Sequence, residues 1–486
     1  MFNKNDTNVR VLKWDIPTDR PLTTEELAAV LGWFNNRQDQ LRQLQGYYEL
    51  HHEIEDRVFY KTKVNPDTGE KTIVLDTTRP NNKLIHDFPG YIVDVATGYF
   101  MGVPVTYSID SGFDSELETL QAILNYNDEA AHNLDIAKTQ AIYGTAFEIL
   151  WTEQPETSKL KGKVTPRFHQ ASPLECFMIY DPKSLEETPL AAFRVVSLPD
   201  IVSGSYQYFV EEYLDNRVYT YTGADTTSMV CENTEGEVSN YQQIPVIEYP
   251  NGSQRFGDFE RVISLIDAYD KLNSDGLNES EAFRNSLLHI KNMMGTTGED
   301  VQEMQESGVI KTEDEGEVSY ITKPDSSGPL STQEQILTKN IHKFSKVPPM
   351  DDQNFAGNVS GESMKYKMWG IETIASAKER AFKKALIKRV ELIFEVIGMI
   401  KGTDFDFTLV NTKFTRNLPR NMSELVDQIN KLKGLVSSVT LLSWLPDIYD
   451  AQAELDKVTK ELEGSNPYSP DIMTLENEGD LDGGQE

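Results

Sequence analysis

Hydrophobic spacing changes several times along the chain, and the changes mark its parts. Residues 1–22 hold Pro17 and Pro21 and little periodicity, and read as an arm. Thr23 followed by Glu26 is a capping box, in which each side chain satisfies an amide left free at a helix start. LAAVLGWFNNRQDQLRQLQGYYELHHEIE then keeps a three-to-four apolar spacing, so the pattern predicts a helix ending near Glu55. Arg57–Val64 and Lys71–Leu75 read as strands around Pro66-Asp67-Thr68-Gly69, a type I turn composition, which makes a hairpin. Phe88–Phe100 is apolar and mostly helical in pattern, and Ser115–Tyr143 reads as a helix or a pair of helices. Phe147–Tyr249 is strand-rich, as in FEILWTE, AAFRVVSL, YQYFVEEYL and RVYTYTG. These elements predict an α+β body.

After Asn251-Gly252 the pattern becomes a long helix from Phe256 to about Leu287 with a polar middle. A small unit follows: GEDVQEMQESG reads as a short helix ended by Gly308, and VIKT and EVSYIT as a hairpin around EDEG. A second helix, Thr332–Val347, returns from it, so the unit is an excursion carried between two helices. Pro348 and Pro349 stop that helix, and MDDQNFAGNVSG is a loop rich in Gly, Asn and Asp. Beyond it a proline-free helical pattern runs from Glu362 to about Lys401, roughly 60 Å of helix, with Gly370 as a place to bend. A strand-like DFDFTLVNTKF and a helical C-terminal region follow. The last 23 residues carry six acids and no base, and are expected to be disordered.

Charge narrows the classes. With 46 basic and 78 acidic residues the net charge is −32. Tight DNA binders neutralise phosphates with Lys and Arg, so a sequence-specific DNA binder is disfavoured, while a wall that lets DNA slide past without deep wells is compatible. The longest apolar stretch, around Ile92–Val105, is interrupted by Asp94, Gly98 and Gly102, too short for a membrane span. MFNKNDTNVRVLKWD lacks the apolar core of a secretory signal, so folding in a cytoplasm is expected. Two distant cysteines, Cys176 and Cys231, make no disulfide framework and no Cys-based zinc site.

Catalytic signatures are weak. No G-x-x-x-x-G-K-[ST] phosphate loop occurs, so the chain is not itself an ATP-driven motor. Gly357-Asn358-Val359-Ser360-Gly361 has its serine in the wrong place for a nucleophile elbow. His51, His52 and Glu53 lack the H-E-x-x-H spacing and read as a solvated helix end. Asp404 and Asp406 form a D-x-D pair that could bind a divalent ion in a nuclease. Alternation with Phe405 and Phe407 favours an exposed strand face instead. No cofactor or metal is implied. Ser376–Arg389 concentrates Lys378, Arg380, Lys383, Lys384, Lys388 and Arg389 against one acid. Such a run is either a solvated or internally paired helix face, for instance against acids of Phe256–Leu287, or a surface offered to DNA or to a neighbouring subunit.

RPNNKLIHDFPGYIVDVATGYFMGVPVTY, Arg79–Tyr107, closely resembles a characteristic stretch of portal proteins of long-tailed phages infecting Gram-positive bacteria. Val246–Phe283 is similar to that family's entry into its first channel-lining helix, and Phe344–Ile393 to its loop and very long helix. The three occur in family order, and the resemblance covers most of residues 25–460.

The resemblance implies a multidomain portal fold of wing, helical stem, small α/β clip and helical crown, assembling as a ring, typically of twelve subunits, with DNA on its axis. Residues 1–25 would be an arm, 26–255 the wing, 256–285 the first stem helix, 286–330 the clip, and 331–347 the second stem helix. Residues 348–361 would be the tunnel loop, 362–420 a long wing helix and strand, 421–463 the crown, and 464–486 an acidic tail. Channel narrowing falls to Met350, Asp351, Asp352, Gln353, Asn354, Phe355, Gly357, Asn358 and Ser360. Partner contacts of the clip fall to Glu313, Asp314, Glu315 and Glu317. Implied partners are double-stranded DNA without sequence specificity, the terminase large subunit, a head-completion adaptor, and major capsid and scaffolding proteins; no membrane is implied. The implied place is the portal vertex of the virion, after assembly in the host cytoplasm. The alternatives are a metal-dependent nuclease or head-processing enzyme using Asp404, Asp406 and nearby acids, and a monomeric cytoplasmic scaffold or adaptor.

Overall fold

The computed structural model describes residues 10–109, 112–156, 162–199, 204–284, 288–291, 297–300, 302, 317–320, 327–350, 366–402, 405–417, 422–445, 448 and 451–464. The chain divides into two compact units, Met1–Asn417 and Leu418–Glu486.

The first unit is layered. Helix α1, Thr24–Tyr48, starts at the expected capping box: Thr23 accepts from the Glu26 amide, and Glu26 accepts from the Thr23 amide. It ends at Tyr48, before the expected Glu55, and a separate 3-10 turn occupies Glu53–Asp56. Its Leu27, Val30, Leu31 and Phe34 pack on a seven-stranded sheet ordered β1-β7-β8-β9-β10-β11, with β12 also on β10. The strands are β1 (Leu12–Lys13), β7 (Cys176–Tyr180), β8 (Pro189–Pro199), β9 (Tyr206–Leu214), β10 (Arg217–Gly223), β11 (Val230–Cys231) and β12 (Glu237–Val238). Period-two alternation sends successive residues to opposite faces: Phe177 and Ile179 meet α1, while Cys176, Met178 and Tyr180 meet the other side. There they join Phe147 and Val246 of a three-stranded sheet, β13 (Val246–Pro250), β5 (Thr145–Glu153) and β6 (Thr165–Ala171).

Strand β1 corrects the reading of residues 10–22 as an arm. Leu12 pairs in parallel with Ile179, and Leu12 and Leu22 are buried in the α1 cluster. A two-residue strand is too short to show periodicity. The hairpin appears as expected, β2 (Tyr60–Val64) with β3 (Lys71–Leu75), and stands exposed. Helix α2 is Phe88–Met101, and Ser115–Tyr143 resolves into a pair, α3 (Asp114–Tyr126) and α4 (Glu129–Tyr143). Gly144 closes α4 in the left-handed conformation, φ +83°, and a Cβ there would stand 2.1 Å from the Arg255 carbonyl oxygen. Only glycine fits.

Helix α5, Ile263–Arg284, packs against α6, Ser327–Ser345. Helix α6 begins earlier than the expected Thr332. Between them β14 (Leu288–Lys291) pairs with β15 (Glu317–Tyr320). The partner of EVSY is therefore LHIK, a strand the sequence pattern did not suggest; VIKT, EDEG and Gly308 lie outside the described residues. Helix α7 is Trp369–Lys401, 33 residues. Tyr366 and Lys367 are also helical, and a turn at Met368 separates them from it. Gly370 is a contact point: a Cβ there would stand 2.9 Å from the Lys346 carbonyl oxygen. DFDFTLVNTKF forms a 3-10 turn, Phe407–Leu409, and a short strand β16, Val410–Lys413, paired with β4, Thr106–Ile109.

The second unit contains α8 (Met422–Leu432), α9 (Ser438–Leu442) and α10 (Ala451–Gly464), with α9 against α10. The tail after Gly464 lies outside the described residues.

Candidate stem junction and loop root

The polar middle of α5 has a structural reason. Asp270, Ser274 and Asn278 recur every four residues, hence on one face, and all three are buried. The segment Asn82–His86, inside the Arg79–Tyr107 string, runs antiparallel along that face. The Asn82 amide donates to Asn278 Oδ1 (2.7 Å), the Leu84 amide to Ser274 Oγ (2.9 Å), and the His86 amide to Asp270 Oδ1 (3.0 Å). Two residues of extended chain advance about 6.6 Å and four residues of helix about 6 Å, so donors on alternate residues match acceptors spaced by four. The end at Asp270 is closed by two imidazoles, His52 Nδ1 at 2.6 Å and His86 Nδ1 at 2.7 Å. At the other end Arg57 reaches Asp275 at 2.7 Å.

His52 is therefore not part of a solvated helix end; it is fully buried, stacked on Tyr47, whose hydroxyl donates to Asp267 (2.7 Å). His51 does face solvent, 3.0 Å from Glu55. Among the described residues no three His, Cys, Asp or Glu side chains are placed to hold a metal ion.

Helix α6 is positioned by α5 and α2. Tyr269 donates to Glu334 (3.0 Å), and His342 meets Phe88 and Tyr91 edge-on. The Tyr91 hydroxyl then clasps the chain where it leaves α6: it donates to the Pro348 carbonyl (2.9 Å) and accepts from the Met350 amide (2.7 Å). Met350, the first of the expected channel-narrowing residues, is exposed. Asp351, Asp352, Gln353, Asn354, Phe355, Gly357, Asn358 and Ser360 lie outside the described residues. A cleft of about 730 Å³ opens beside this root, between α6 and the start of α7, lined by Lys339, Lys343, Lys346 and Lys367 among others.

The basic stretch on α7 divides into an inner and an outer set. Lys378 is buried against Asp258 at 2.5 Å, the pairing with the 256–287 acids that its charge allowed. Arg389 is fully buried, 2.7 Å from Glu148, 3.2 Å from Glu129 and 2.9 Å from Asn133 Oδ1. His132 (2.6 Å) and the Tyr249 hydroxyl (2.9 Å) complete the shell of Glu148. Burial alone would push the Glu148 carboxyl up; the Arg389 guanidinium and the His132 hydrogen bond outweigh it and hold the group at about 2. Neither Lys378 nor Arg389 offers charge to DNA or a neighbour, a correction forced by their burial. Arg380 and Lys384 are exposed and Lys383 is half-exposed, whereas Lys388 is tied to Glu391 (3.1 Å) and Gln243.

Of the expected clip contacts, Glu313, Asp314 and Glu315 lie outside the described residues; Glu317, at the start of β15, is exposed with Lys291 at 3.4 Å. Asp404 also lies outside them, and Asp406 caps the 3-10 turn by accepting from the Thr408 amide and hydroxyl (2.9 and 2.6 Å). Asp406 is thus a capping residue, and not part of an exposed strand face. The residues that sequence reasoning missed are Asn82, His86, Tyr91 and Asp270. The i, i+4 recurrence of Asp270, Ser274 and Asn278 was the readable signal.

The family described as "Phage portal protein, SPP1 Gp6-like" matches residues 31–468. The portal protein of Clostridium phage phiCD119 is 22% identical over 450 residues, covering 88% of this chain and 94% of the relative. The portal protein of Bacillus phage SPP1 is 22% identical over 433 residues, covering 86% of this chain and 82% of the relative. Among solved structures, a chain from the neck of an empty GTA particle computed with C6 symmetry aligns over 73% of this chain and 90% of its own, at 11% identity and a TM-score of 0.42. Matched over most of its length, the chain belongs to the phage portal protein family.

Proposed function

We propose that this chain is the subunit of a ring-shaped DNA channel at the capsid vertex, through which DNA is packaged, retained and ejected. The family match over residues 31–468 carries the reading. In it, α5 and α6 are the stem, and the unit holding β14 and β15 is the clip that docks the terminase large subunit and later a head-completion adaptor. The layered body is the wing, α8 to α10 belong to the crown, and residues 348–361 narrow the channel. The reading is supported by a helix pair carrying a small β unit and by the clasped root of the loop. Twelve copies per ring, a virion location, assembly in the host cytoplasm with capsid and scaffolding proteins, and DNA contact without base reading complete the proposal. It assigns no catalytic role. The acidic balance suits walls that phosphates do not adhere to.

The test is imaging and packaging together. Negative-stain images of the purified or co-expressed protein should show annular particles with a central hole, and their persistent absence sinks the ring. Deleting residues 351–358 should leave rings intact while reducing DNA filling. Normal filling of capsids built on the deleted form refutes the role of the loop.

A further inference from the structure

We infer that the small cavity between α1 and strands β5 and β7 is an anion site, in which the Arg37 guanidinium holds one monovalent inorganic anion of about the size of chloride.

Burial is the first ground. Arg37 stands on α1, is only 8% exposed, and lines a cavity of about 40 Å³ whose walls include Phe34, Leu41, Phe147 and Met178. A guanidinium carries five N–H donors and keeps its charge at neutral pH. Among the described residues the Arg37 side chain has one hydrogen-bond partner, the neutral Gln40 Oε1. Desolvation, with the charge of Arg10 nearby, pushes the guanidinium down from 12.5 to about 10. A charge withdrawn from water without a counter-charge is costly, and an anion against its N–H groups removes that cost.

The second ground is that the neighbouring acids are committed to other cations. Glu260 is the acid whose charge Arg37 feels, yet both of its oxygens are taken. Oε1 accepts from Arg10 (2.5 Å) and from Gln40 (2.8 Å), and Oε2 accepts from Arg10 and from the Gly257 amide, at 3.0 Å each. Glu248, on the cavity wall, is equally engaged. Arg255 donates to it at 2.6 and 2.8 Å, and the hydroxyls of Thr145 (2.8 Å) and Tyr180 complete its shell. Arg10 and Arg255 are thereby neutralised, and Arg37 is the cation without an acid of its own. Gln40 bridges it to Glu260 and sets an amide, not a carboxylate, against the guanidinium.

Space and sign together select the ligand. The cavity, at about 40 Å³, compares with the ~30 Å³ that one water occupies in the liquid, so one compact anion fits and a nucleotide does not. Apolar walls favour a weakly hydrated monovalent ion, since one cation does not offset the desolvation of a divalent one. Such an ion stabilises the folded chain alone, because the unfolded chain has no such cavity.

The test follows urea unfolding of the full-length chain at pH 7 by tryptophan fluorescence, since Trp33 also lines the cavity. It compares sodium chloride with sodium gluconate, whose anion is too large to enter, at equal ionic strength. Chloride should raise the folded-to-unfolded ratio of the wild type along a saturable curve, by about tenfold once it exceeds its dissociation constant tenfold. Arg37→Gln and Arg37→Leu should lose that response, while Lys63→Gln, which removes an exposed charge on β2, should keep it. Anomalous diffraction from wild-type crystals grown in bromide should place the ion against the Arg37 guanidinium, a readout that does not depend on the variants folding. Equal stability of the wild type in the two salts, or a chloride response kept by the Arg37 variants, overturns the site. Bromide found only elsewhere overturns it too. Bromide at Arg37 without the solution response is binding at crystal concentration only, and likewise overturns it.

Discussion

Glu212 gives the sharpest stability prediction. On β9 it alternates with Val210 and Leu214, so it points into the cluster under α1, where it is fully buried. Oε2 accepts from the Tyr221 hydroxyl and from the Leu22 amide (3.4 Å), and Oε1 has no partner among the described atoms. Burial raises the carboxyl from 4.5 to about 7, against the opposing pull of those two donors. A raised acid stabilises the fold while protonated: its contribution is complete below the unfolded value near 4.5 and is lost as pH climbs to about 7. At about 1.4 kcal/mol per pH unit, the group withdraws about 2–3 kcal/mol between pH 5 and pH 8. Glu212→Gln removes the titration but places an amide N–H where Oε1 lacked a partner, a cost of about 1–3 kcal/mol. The variant should therefore be less stable than wild type at pH 5 and equal or more stable at pH 8. Urea unfolding followed by tryptophan fluorescence reads the right region, because Trp14 and Trp33 pack against this cluster. Subtracting variant from wild type cancels every other titrating group. A difference that stays constant from pH 5 to pH 8 would refute a neutral Glu212.

Two further predictions test the wing. Arg389→Leu strands Glu129 and Glu148 in the interior and should cost about 3–5 kcal/mol; a loss below about 1 kcal/mol in urea unfolding would mean that the site is hydrated. Because Glu148 is held at about 2, below its ordinary 4.5, its contribution is present above pH 4.5 and lost as pH falls through about 2, and that acid-side loss should disappear in the Arg389 variant. Gly144→Ala should destabilise by more than about 2 kcal/mol, through positive φ and a backbone clash, whereas Gly276→Ala in α5, with nothing within 4 Å of the new Cβ, should stabilise by about 0.5–1 kcal/mol. Thermal unfolding of the pair decides both, and equal midpoints would contradict the glycine argument.

Local signals in the sequence were read correctly where the partners are local. The Thr23–Glu26 box, the turn at residues 66–69 and the apolar spacing of α2 involve residues a few places apart, and each element stands where expected. The arm failed because the partner of Leu12 is Ile179, on a strand far along the chain. The basic run on α7 failed for the same reason. Lys378 meets an acid 120 residues away, and Arg389 meets acids 241 and 260 residues away. Composition reports that six cations share a helix; only the tertiary contacts decide which of them water reaches. Resemblance to the portal family supplied the order of parts, but neither it nor the pattern announced the Asn82–His86 contact with α5.

That contact bears on how the proposed stem would carry load. Apolar ridges between helices tolerate small slides, because dispersion is summed over many weak and similar contacts. Main-chain amides bonded to Asn278, Ser274 and Asp270 do not: each has a direction, and a slide of one residue leaves three half-buried donors without these partners, at up to about 1 kcal/mol apiece. The repeats, about 6.6 Å against about 6 Å, drift apart by about 0.6 Å per rung, which is tolerable over three rungs and not over many. The two histidines on Asp270 cap the run before the mismatch grows. The result is a helix fixed in axial register to the body by a short, directional set of bonds, while its neighbour α6 is set by Tyr269 and Tyr91. A stem so held would transmit an axial push to the wing as a unit.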